Sequence, residues 1–219
     1  MEPKPIEIAG RTVGPGQPCL IVAEAGVNHN GRGELARRLI ESAAAAGADA
    51  VKFQTFRAER LAVAQAAKAD YQLRTTDRSE SQLEMLRRLE LPRETYPELL
   101  AQCRERGLLF LSSPFDEESA DFLDALEIQS FKIPSGEITN LPFLAHVARK
   151  GKPMILSTGM STLEEVRAAF DTVVCEGNKQ VILLHCTSGY PAAPEDANLR
   201  AMKTLAETFG VPVGYSGHE

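Results

Sequence analysis

Residues 50–55, Ala-Val-Lys-Phe-Gln-Thr, decide the fold that we predict for this chain. In an extended strand successive side chains point to opposite faces, so Lys52 and Gln54 share one face while Val51 and Phe53 share the other. If the apolar pair packs on helices, an ammonium group and an amide lie on the other side of the sheet. The stretch is therefore predicted to be a buried strand that carries functional groups close to its end.

Six other stretches have the same short, β-branched and apolar character, and segments with helical periodicity separate them. The seven predicted strands are Leu20–Ala25, Ala50–Thr55, Leu108–Ser113, Ser130–Pro134, Met154–Thr158, Val181–Thr187 and Val211–Ser216. Leu163, Val166 and Phe170 follow helical spacing after the fifth strand, and Ser161 with Glu164 matches a capping box at that helix start. Alternation of strands and helices predicts a parallel sheet with crossover helices.

Polar residues at the strand ends distinguish an open doubly wound sheet from a closed barrel. They are Glu24, Lys52, Gln54, Ser112, Ser113, Lys132, Ser157, Thr158, His185, Thr187, Ser216 and His218. A doubly wound sheet gathers ligand contacts at one switch point, whereas a barrel brings every strand end to one mouth. The first strand is also not followed by G-x-G-x-x-G. We therefore predict an α/β fold, a (β/α)₈ TIM barrel that lacks its eighth strand here.

Residues 1–18 are predicted to form a β-hairpin cap, in which Ile6–Ala9 and Arg11–Val13 flank Gly10. Residues 19–219 are predicted to be the barrel domain. The net charge of −6 argues against a nucleic-acid partner. No apolar run approaches the roughly 20 residues of a membrane span, and four scattered cysteines without a C-x-x-C pair argue against zinc and disulfide frameworks. We expect a cytoplasmic enzyme with reduced cysteines.

Two lysines that point inward predict an anion site at the carboxyl ends of the strands. Lys52 is one, and Lys132 is the other, close to Ser135 and Glu137. The candidate hydroxyl donors are Ser112, Ser113, Ser135, Ser157, Thr158, Ser188 and Ser216, although any single one is more often a turn or cap residue. Lys52 could instead form a buried salt bridge or act as a Schiff-base nucleophile.

Glu24 interrupts the apolar run of the first strand. A lone carboxylate in a buried strand is costly unless it is paired or used. It could pair with Lys52 on the neighbouring strand, act as a general base, or do both. Among the histidines, His218 is the better candidate for a metal ligand. His185 is equally consistent with a hydrogen-bonded core residue, and His29 could contact substrate or shape a turn.

The sequence resembles the N-acetylneuraminate (sialic acid) synthase family in seven motifs that follow the family's order and spacing. They are IVAEAGVNHNG (21–31), AGADAVKFQTF (46–56), SSPFD (112–116), KIPSGEITNLP (132–142), ILSTGMSTLEEV (155–166), LHCTSGYPA-x-PED-x-NL (184–199) and PVGYSGHE (212–219). The resemblance implies a barrel that condenses phosphoenolpyruvate with N-acetylmannosamine to give N-acetylneuraminate and phosphate. It also implies a divalent metal, Mn²⁺ or Mg²⁺, and a homodimer.

The resemblance further implies a role for each matching residue. Glu24, Lys52 and Glu137 would be the catalytic set, and His218 would be one metal ligand. The implied substrate-binding residues are Gln54, Ser113, Lys132, Ser135, Ser157, Ser188, Tyr190 and Ser216. Ser188 stands where some members carry Asn, and Gly217 where many carry Asp. The family's second metal-binding histidine and its C-terminal antifreeze-like domain are absent from these 219 residues, so we expect the chain alone to show little synthase activity.

Three alternatives stay open at this point. A synthase for legionaminate or pseudaminate would share the phosphoenolpyruvate site and differ around the sugar, where residues 56–79, with Lys68, Tyr71 and Gln72, are the region to inspect. An aldolase-type lyase would use Lys52 or Lys132 as a Schiff-base nucleophile. A truncated, non-catalytic copy would only bind ligand or partners.

Overall fold

The structure is a computed structural model that describes residues 3–64, 66, 68, 80–189 and 191–217. The chain divides into two compact units. We call Ile21–Glu127 the three-strand unit, and Met1–Leu20 together with Ile128–Glu219 the four-strand unit, after the parallel sheet that each one contains.

The strands and helices alternate along the described residues, as the sequence predicts. The strands are β1 Ile6–Ile8, β2 Arg11–Val13, β3 Val22–Gly26, β4 Ala50–Thr55, β5 Leu109–Pro114, β6 Phe131–Ile133, β7 Met154–Ser157, β8 Val181–Cys186 and β9 Val213–Ser216. The α-helices are α1 Gly33–Ala45, α2 Ala58–Leu61, α3 Gln82–Leu89, α4 Tyr96–Glu105, α5 Glu117–Ala125, α6 Leu141–Ala148, α7 Leu163–Cys175 and α8 Ala201–Phe209. Short 3₁₀ turns cover Arg93–Thr95, Ser135–Glu137 and Pro194–Asp196.

All strands from β3 onward pair in parallel. The three-strand unit has the order β3-β4-β5, and the four-strand unit has the order β6-β7-β8-β9. Every strand predicted from the sequence is present, with ends that differ by at most two residues. The parallel α/β class is therefore confirmed.

The N-terminal hairpin pairs β1 with β2 antiparallel, and Ile6 lies opposite Val13. Ala9 and Gly10 at its tip both have positive φ, 51° and 77°. Positive φ at both central residues is the requirement of a type I′ hairpin turn, whose twist matches the flanking strands. The predicted hairpin is confirmed, and it belongs to the four-strand unit.

The core of the three-strand unit explains why β4 is a strand. Val51 and Phe53 are 1% and 0% exposed. The Phe53 ring stacks on Phe110 of β5, with ring centroids 5.5 Å apart. Fully burying aromatic and branched side chains of this size contributes about 1.5–3 kcal/mol each. The apolar face of β4 is therefore the one that packs on the core, as its alternation predicts.

The start of α7 lies one residue later than the sequence predicts. Thr162, not Ser161, is the N-cap, and its hydroxyl accepts from the Glu165 backbone N–H while the Glu165 carboxylate accepts from the Thr162 N–H. The capping box is therefore real but displaced by one position. Ser161 does not cap because its hydroxyl donates to the carbonyl of Gly159 in the preceding turn, at 3.1 Å.

The long interval after β4 is only partly irregular. It contains α2, which packs on α3 around Phe56, Leu83 and Leu86. Tyr71 and Gln72, two residues that we singled out for the choice of sugar, lie outside the described residues. No helix in the described part of the chain is long and apolar enough to cross a bilayer.

Candidate functional site

An ion pair between Glu24 and Lys52 is the centre of the three-strand unit's candidate site. The two residues lie opposite each other on β3 and β4. Lys52 Nζ lies 2.6 Å from Glu24 Oε2, and the lysine side chain is only 10% exposed. The predicted pairing is confirmed. Because the ammonium group is largely removed from water, its carboxylate partner compensates for the cost of burying it.

Glu24 itself is more exposed than the sequence suggests. Its apolar neighbours predict a buried carboxylate, but the side chain is 46% exposed. The neighbouring residues Ile21 and Val22 are also exposed, by 54% and 37%. The expectation of a buried carboxylate is therefore wrong, and Glu24 has access to water and to a ligand.

Gln54 and Ser113 lie on the same face as Lys52. The register of β4 and β5 places Gln54 opposite Ser113. A Cβ atom on Gly26, which has a φ of 52°, would lie 3.2 Å from Glu24 Oε1 and 3.8 Å from Gln54 Nε2, so these two side chains flank the same backbone. Ser113 Oγ is buried and has no hydrogen-bond partner among the described residues. A buried hydroxyl without a partner is costly, and this one is a donor available to a ligand.

Two of the candidate hydroxyls turn out to be structural. Ser112 points to the opposite face from Ser113, and its Oγ lies 2.7 Å from Thr55 Oγ1, which in turn lies 2.9 Å from Tyr96 Oη. Burial raises the pKa of Tyr96 to about 12, so this phenol stays neutral. Thr158 donates its hydroxyl to the carbonyl of Leu184 at 3.0 Å. The assignment of Ser112 and Thr158 as anion donors is therefore wrong.

The four-strand unit carries a second row of polar side chains on one face of its sheet. Its register pairs Lys132 with Ile155 on β7, two residues before Ser157, and pairs Cys186 with Ser216. Ser157 lies opposite Leu184, two residues before Cys186. Strand alternation therefore puts Lys132, Ser157, Cys186 and Ser216 on the same face. Lys132 and Ser157 are 9% and 2% exposed, and Ser216 is half-buried.

Three polar side chains surround the backbone of Gly159, just after β7. A Cβ atom there would lie 2.4 Å from Ser188 Oγ, 2.9 Å from Ser135 Oγ and 3.1 Å from Cys186 Sγ. The Gly159 N–H donates to Ser135 Oγ at 3.0 Å. We call Ser135, Gly159, Cys186 and Ser188 the hydroxyl cradle. From the sequence, Cys186 has no role beyond that of a reduced cysteine, and Gly159 is not singled out, because these contacts join segments that lie far apart in the chain.

Glu137 is held in place at the end of the 3₁₀ turn that follows β6. Its side chain is half-buried, and Oε2 accepts a hydrogen bond from Asn140 Nδ2 at 2.9 Å. Asn140 also caps α6, since its Oδ1 accepts from the Phe143 N–H. The carboxylate is thereby oriented by a residue that is itself fixed by a helix start.

The two described histidines near strand ends both make local hydrogen bonds, although the buried Nε2 of His29 has no hydrogen-bond partner among the described residues. His185 lies on the opposite face of β8 from Cys186, and its Nε2 is 2.7 Å from the carbonyl of Ala197. His29 is 0% exposed, and its Nδ1 accepts from the Gly31 N–H at 3.0 Å. Burial lowers the pKa of His29 to about 4, so the ring is neutral. Both histidines shape the chain around them.

The remaining candidates lie outside the described residues or are already paired. Tyr190 and His218 belong to the part of the chain that the structure does not describe. Across residues 3–64, 66, 68, 80–189 and 191–217, no group of three or more His, Cys, Asp and Glu side chains could hold a metal ion. Lys68 lies 2.9 Å from Glu80 and is 2% exposed, so its ammonium group already has an acidic partner.

The fold and the side chains at the strand ends together indicate an α/β enzyme. Lysines, hydroxyls and a carboxylate follow the carboxyl ends of parallel strands, which is where α/β enzymes place their binding and catalytic groups. The model of the NeuB family matches residues 39–219. The chain belongs to the NeuB family.

Comparison with individual proteins supports this assignment. The chain is 51% identical over 209 residues to the N,N'-diacetyllegionaminic acid synthase of Legionella pneumophila, covering 94% of this chain and 59% of the relative. It is 50% identical over 201 residues to the enzyme of the same name from Campylobacter jejuni, covering 91% of this chain and 60% of the relative. The chain thus spans about three fifths of the length of these relatives.

A solved structure confirms the barrel type of the fold. The N-acetylneuraminic acid (sialic acid) synthetase of Leptospira borgpetersenii, solved in complex with citrate, superposes with a TM-score of 0.87 at 30% identity. The match covers 99% of this chain and 71% of that one. The fold of the chain is therefore the α/β, TIM-barrel type that the strand ends predict.

Proposed function

We propose that the protein condenses phosphoenolpyruvate with the open-chain aldehyde of an N-acetylated amino sugar, giving a nonulosonic acid and phosphate. The observation that carries the proposal is the Glu24–Lys52 ion pair beside Gln54 and the unpartnered Ser113, in a chain of the NeuB family. Such a set offers one cation, two neutral hydrogen-bonding groups and one carboxylate. These are the groups needed to hold a doubly acidic substrate and to move a proton.

Phosphoenolpyruvate requires partners for a phosphate and a carboxylate. Lys52 and Lys132 are the largely buried cations proposed for these two groups. The proposed neutral ligands are Gln54, Ser113, Ser135, Ser157, Ser188 and Ser216. Ammonium groups act as compact charges toward phosphate oxygens, and hydroxyls add directional donors. The proposal therefore assigns charge neutralisation to the lysines and orientation to the hydroxyls.

In the proposed reaction, the methylene carbon C3 of phosphoenolpyruvate attacks the aldehyde carbon of the sugar. The aldehyde oxygen takes a proton from solvent water and becomes a hydroxyl, and positive charge develops at C2. Glu24 takes a proton from water as the water oxygen bonds to C2. The C2–O bond to phosphate in the tetrahedral intermediate then breaks, the C2 hydroxyl passes its proton to the departing phosphate, and a keto group remains. Glu24 returns its proton to solvent. The lysines stabilise the departing phosphate, as preorganised charges do in many enzymes.

Glu137 and Tyr190 are proposed to contact the sugar. Glu137 supports this assignment through its fixed orientation toward Asn140 and its half-buried carboxylate. A carboxylate can accept hydrogen bonds from sugar hydroxyls or from an acetamido N–H.

The comparisons favour a legionaminic-type sugar over N-acetylmannosamine, our first choice from the sequence. The two relatives named N,N'-diacetyllegionaminic acid synthases are 51% and 50% identical, whereas the Leptospira sialic acid synthetase is 30% identical. We therefore propose a 6-deoxy diacetamido hexose as the substrate. The test is a panel of this sugar, N-acetylmannosamine and N-acetylglucosamine, and a higher kcat/KM for N-acetylmannosamine would restore the first choice.

A divalent cation, Mn²⁺ or Mg²⁺, is part of the proposal, with His218 as one ligand. The described residues do not supply a ligand set by themselves, so every step above is assigned to side chains of the chain. Phosphate release that survives exhaustive treatment with EDTA would contradict a metal requirement. A cytoplasmic homodimer is proposed as well, and light scattering of the purified protein tests the dimer.

The decisive experiment measures phosphate release from phosphoenolpyruvate with and without the amino sugar, using the complete gene product. Lys52→Ala should abolish release, and Lys179→Ala, at an exposed lysine, is the matched control. The competing lyase is tested with the same proteins. If borohydride traps a pyruvate adduct on Lys52 or Lys132, the synthase proposal is wrong. A protein that binds phosphoenolpyruvate and releases no phosphate with any sugar would support the non-catalytic alternative.

A further inference from the structure

We propose that Cys186 is a positioning residue that, together with the backbone N–H of Gly159, turns the hydroxyl proton of Ser135 toward the anionic substrate. The inference rests on the proposed function, because it assumes that the hydroxyl cradle receives phosphoenolpyruvate. It goes beyond that function by assigning a role to a residue whose type suggests only a core filler.

The contacts around Ser135 carry the argument. Its Oγ accepts from the Gly159 N–H at 3.0 Å and lies 3.2 Å from Cys186 Sγ, a contact in which either atom could donate. The Cys186 thiol has one other acceptor within reach, the Leu184 carbonyl at 3.9 Å, which is much farther away than Ser135 Oγ. Cys186 lies on β8 on the same face as Lys132 and Ser157, and it is 8% exposed. The thiol is therefore directed to the polar face of its sheet, beside a proposed substrate ligand.

The hydrogen-bonding capacity of the Ser135 hydroxyl decides which group donates in its contact with Cys186. A serine hydroxyl has one proton to donate and two lone pairs that accept hydrogen bonds. The Gly159 N–H fills one lone pair of Ser135. Sulfur is a weak acceptor, so an arriving phosphate or carboxylate oxygen is a much better partner for the Ser135 proton. The Cys186 S–H then fills the second lone pair, and the Ser135 proton is left for the ligand.

Gly159 makes this arrangement sterically possible. Any Cβ there would come closer than 3.0 Å to both Ser188 Oγ and Ser135 Oγ, so the space above its backbone exists only because the side chain is absent. The two hydroxyls and the thiol border that space.

The four cysteines differ enough in exposure for Cys186 to be observed separately. Cys19 and Cys175 are exposed, whereas Cys103 is 1% exposed and burial raises its pKa to about 12. Thiolates rather than thiols react with alkylating reagents, so Cys103 should be inert at neutral pH. In a Cys19→Ser, Cys175→Ser background, alkylation should therefore report on Cys186.

The first test measures the dissociation constant of phosphoenolpyruvate by calorimetry for Cys186→Ala and Cys186→Ser. Alanine removes the donor, and the dissociation constant should rise about three- to tenfold, the range expected for one hydrogen bond. Serine keeps an O–H donor at the same position and should stay within about twofold of the parent protein. Cys175→Ala, at an exposed position, is the matched control and should leave binding unchanged.

A merely structural role would give a different pattern. Both variants would then lower the melting temperature, and serine would not rescue binding. Equal binding by the parent protein and Cys186→Ala overturns the positioning role while leaving the proposed function intact. A parent protein that binds no phosphoenolpyruvate overturns the proposed function and this inference with it.

The second test uses iodoacetamide on the Cys19→Ser, Cys175→Ser background. Saturating phosphoenolpyruvate should slow the modification of Cys186 at least about tenfold, because the ligand would cover the thiol and hold its proton toward Ser135. Modification at the same rate with and without a ligand that calorimetry shows to be bound contradicts the placement of phosphoenolpyruvate in the hydroxyl cradle.

Discussion

Replacing Glu24 with Gln should separate the structural from the chemical role of the Glu24–Lys52 pair. The substitution keeps the size of the side chain and removes its charge. Lys52, 10% exposed, then lacks its acidic partner at 2.6 Å. We expect a moderate loss of stability, a small change in phosphoenolpyruvate binding and a large loss of turnover.

The stability loss follows from the geometry of the pair. Two unit charges 2.6 Å apart attract by roughly 1.6 kcal/mol in water and by roughly 6 kcal/mol at an effective dielectric constant of 20. Because Glu24 is 46% exposed, the attraction lies closer to the value in water. In the Glu24→Gln variant, a hydrogen bond from Lys52 to the new amide oxygen recovers part of the lost attraction. We therefore expect the free energy of unfolding to decrease by about 1–2 kcal/mol, a value between those of exposed and of fully buried ion pairs. For a chain of this length that is a fall in Tm of about 3–6 °C.

Turnover should fall by about 10²- to 10⁴-fold, the contribution typical of a general base. The assay combines a thermal melt of the 219-residue chain with phosphate release by the complete gene product. Glu176→Gln is the control for loss of one surface ion pair, since Glu176 pairs with the exposed Arg149. A Glu24→Gln enzyme with kcat within a few-fold of the parent would refute the general-base assignment. A loss of more than about 4 kcal/mol would show that the carboxylate behaves as a buried group.

Three other predictions test separate parts of the structure. Gly159→Ala should weaken phosphoenolpyruvate binding more than tenfold, because its Cβ would lie 2.4 Å from Ser188 Oγ. Calorimetry measures this binding, and an unchanged dissociation constant would contradict the assignment of the hydroxyl cradle as a substrate site. His29 should make the free energy of unfolding depend on pH. Its pKa in the folded protein is about 4, below the usual value near 6.5, so the unfolded chain binds the proton first as the pH falls. The contribution of His29 should therefore be fully present above about pH 6.5, and the free energy of unfolding should fall by roughly 3 kcal/mol towards pH 4. Urea unfolding at several pH values measures this slope, and His29→Asn should flatten it; an equally steep slope in the variant would assign the effect to other groups. Tyr96→Phe should lower the free energy of unfolding by about 1 kcal/mol, because it removes the hydrogen bond to Thr55. An absorbance titration at 295 nm should show one of the four tyrosines ionising near pH 12 in the parent protein, and this step should be missing in the variant.

Several features were predictable because they depend on short-range pattern. Alternation along β4 predicts which face of the strand Lys52 and Phe53 occupy, since the side-chain period of a strand is two residues. The same rule predicts that Glu24 and Lys52 can meet once β3 and β4 are neighbours. Polar strand ends predict the parallel barrel type of fold, which the Leptospira structure confirms.

Other features depend on which of two adjacent residues takes a contact. Ser112 and Ser113 are equivalent in composition, but only Ser113 points to the face of Lys52. The capping box lies at Thr162 and not at the predicted Ser161, because the Ser161 hydroxyl donates a hydrogen bond within the turn before the helix. A shift of one residue reverses the face of a strand or the start of a helix, and local composition does not resolve it.

The sequence by itself determined the strand–helix alternation, the inward direction of Lys52 and the family, since each is a property of neighbouring residues or of ordered motifs. Only the tertiary structure decided that the Glu24 side chain is 46% exposed and that Cys186 contacts Ser135. These two facts depend on the packing of segments far apart in the chain, 51 residues in the case of Ser135 and Cys186. Contacts of that kind are set by packing of the whole core, where the summed burial of many side chains selects one register over its neighbours.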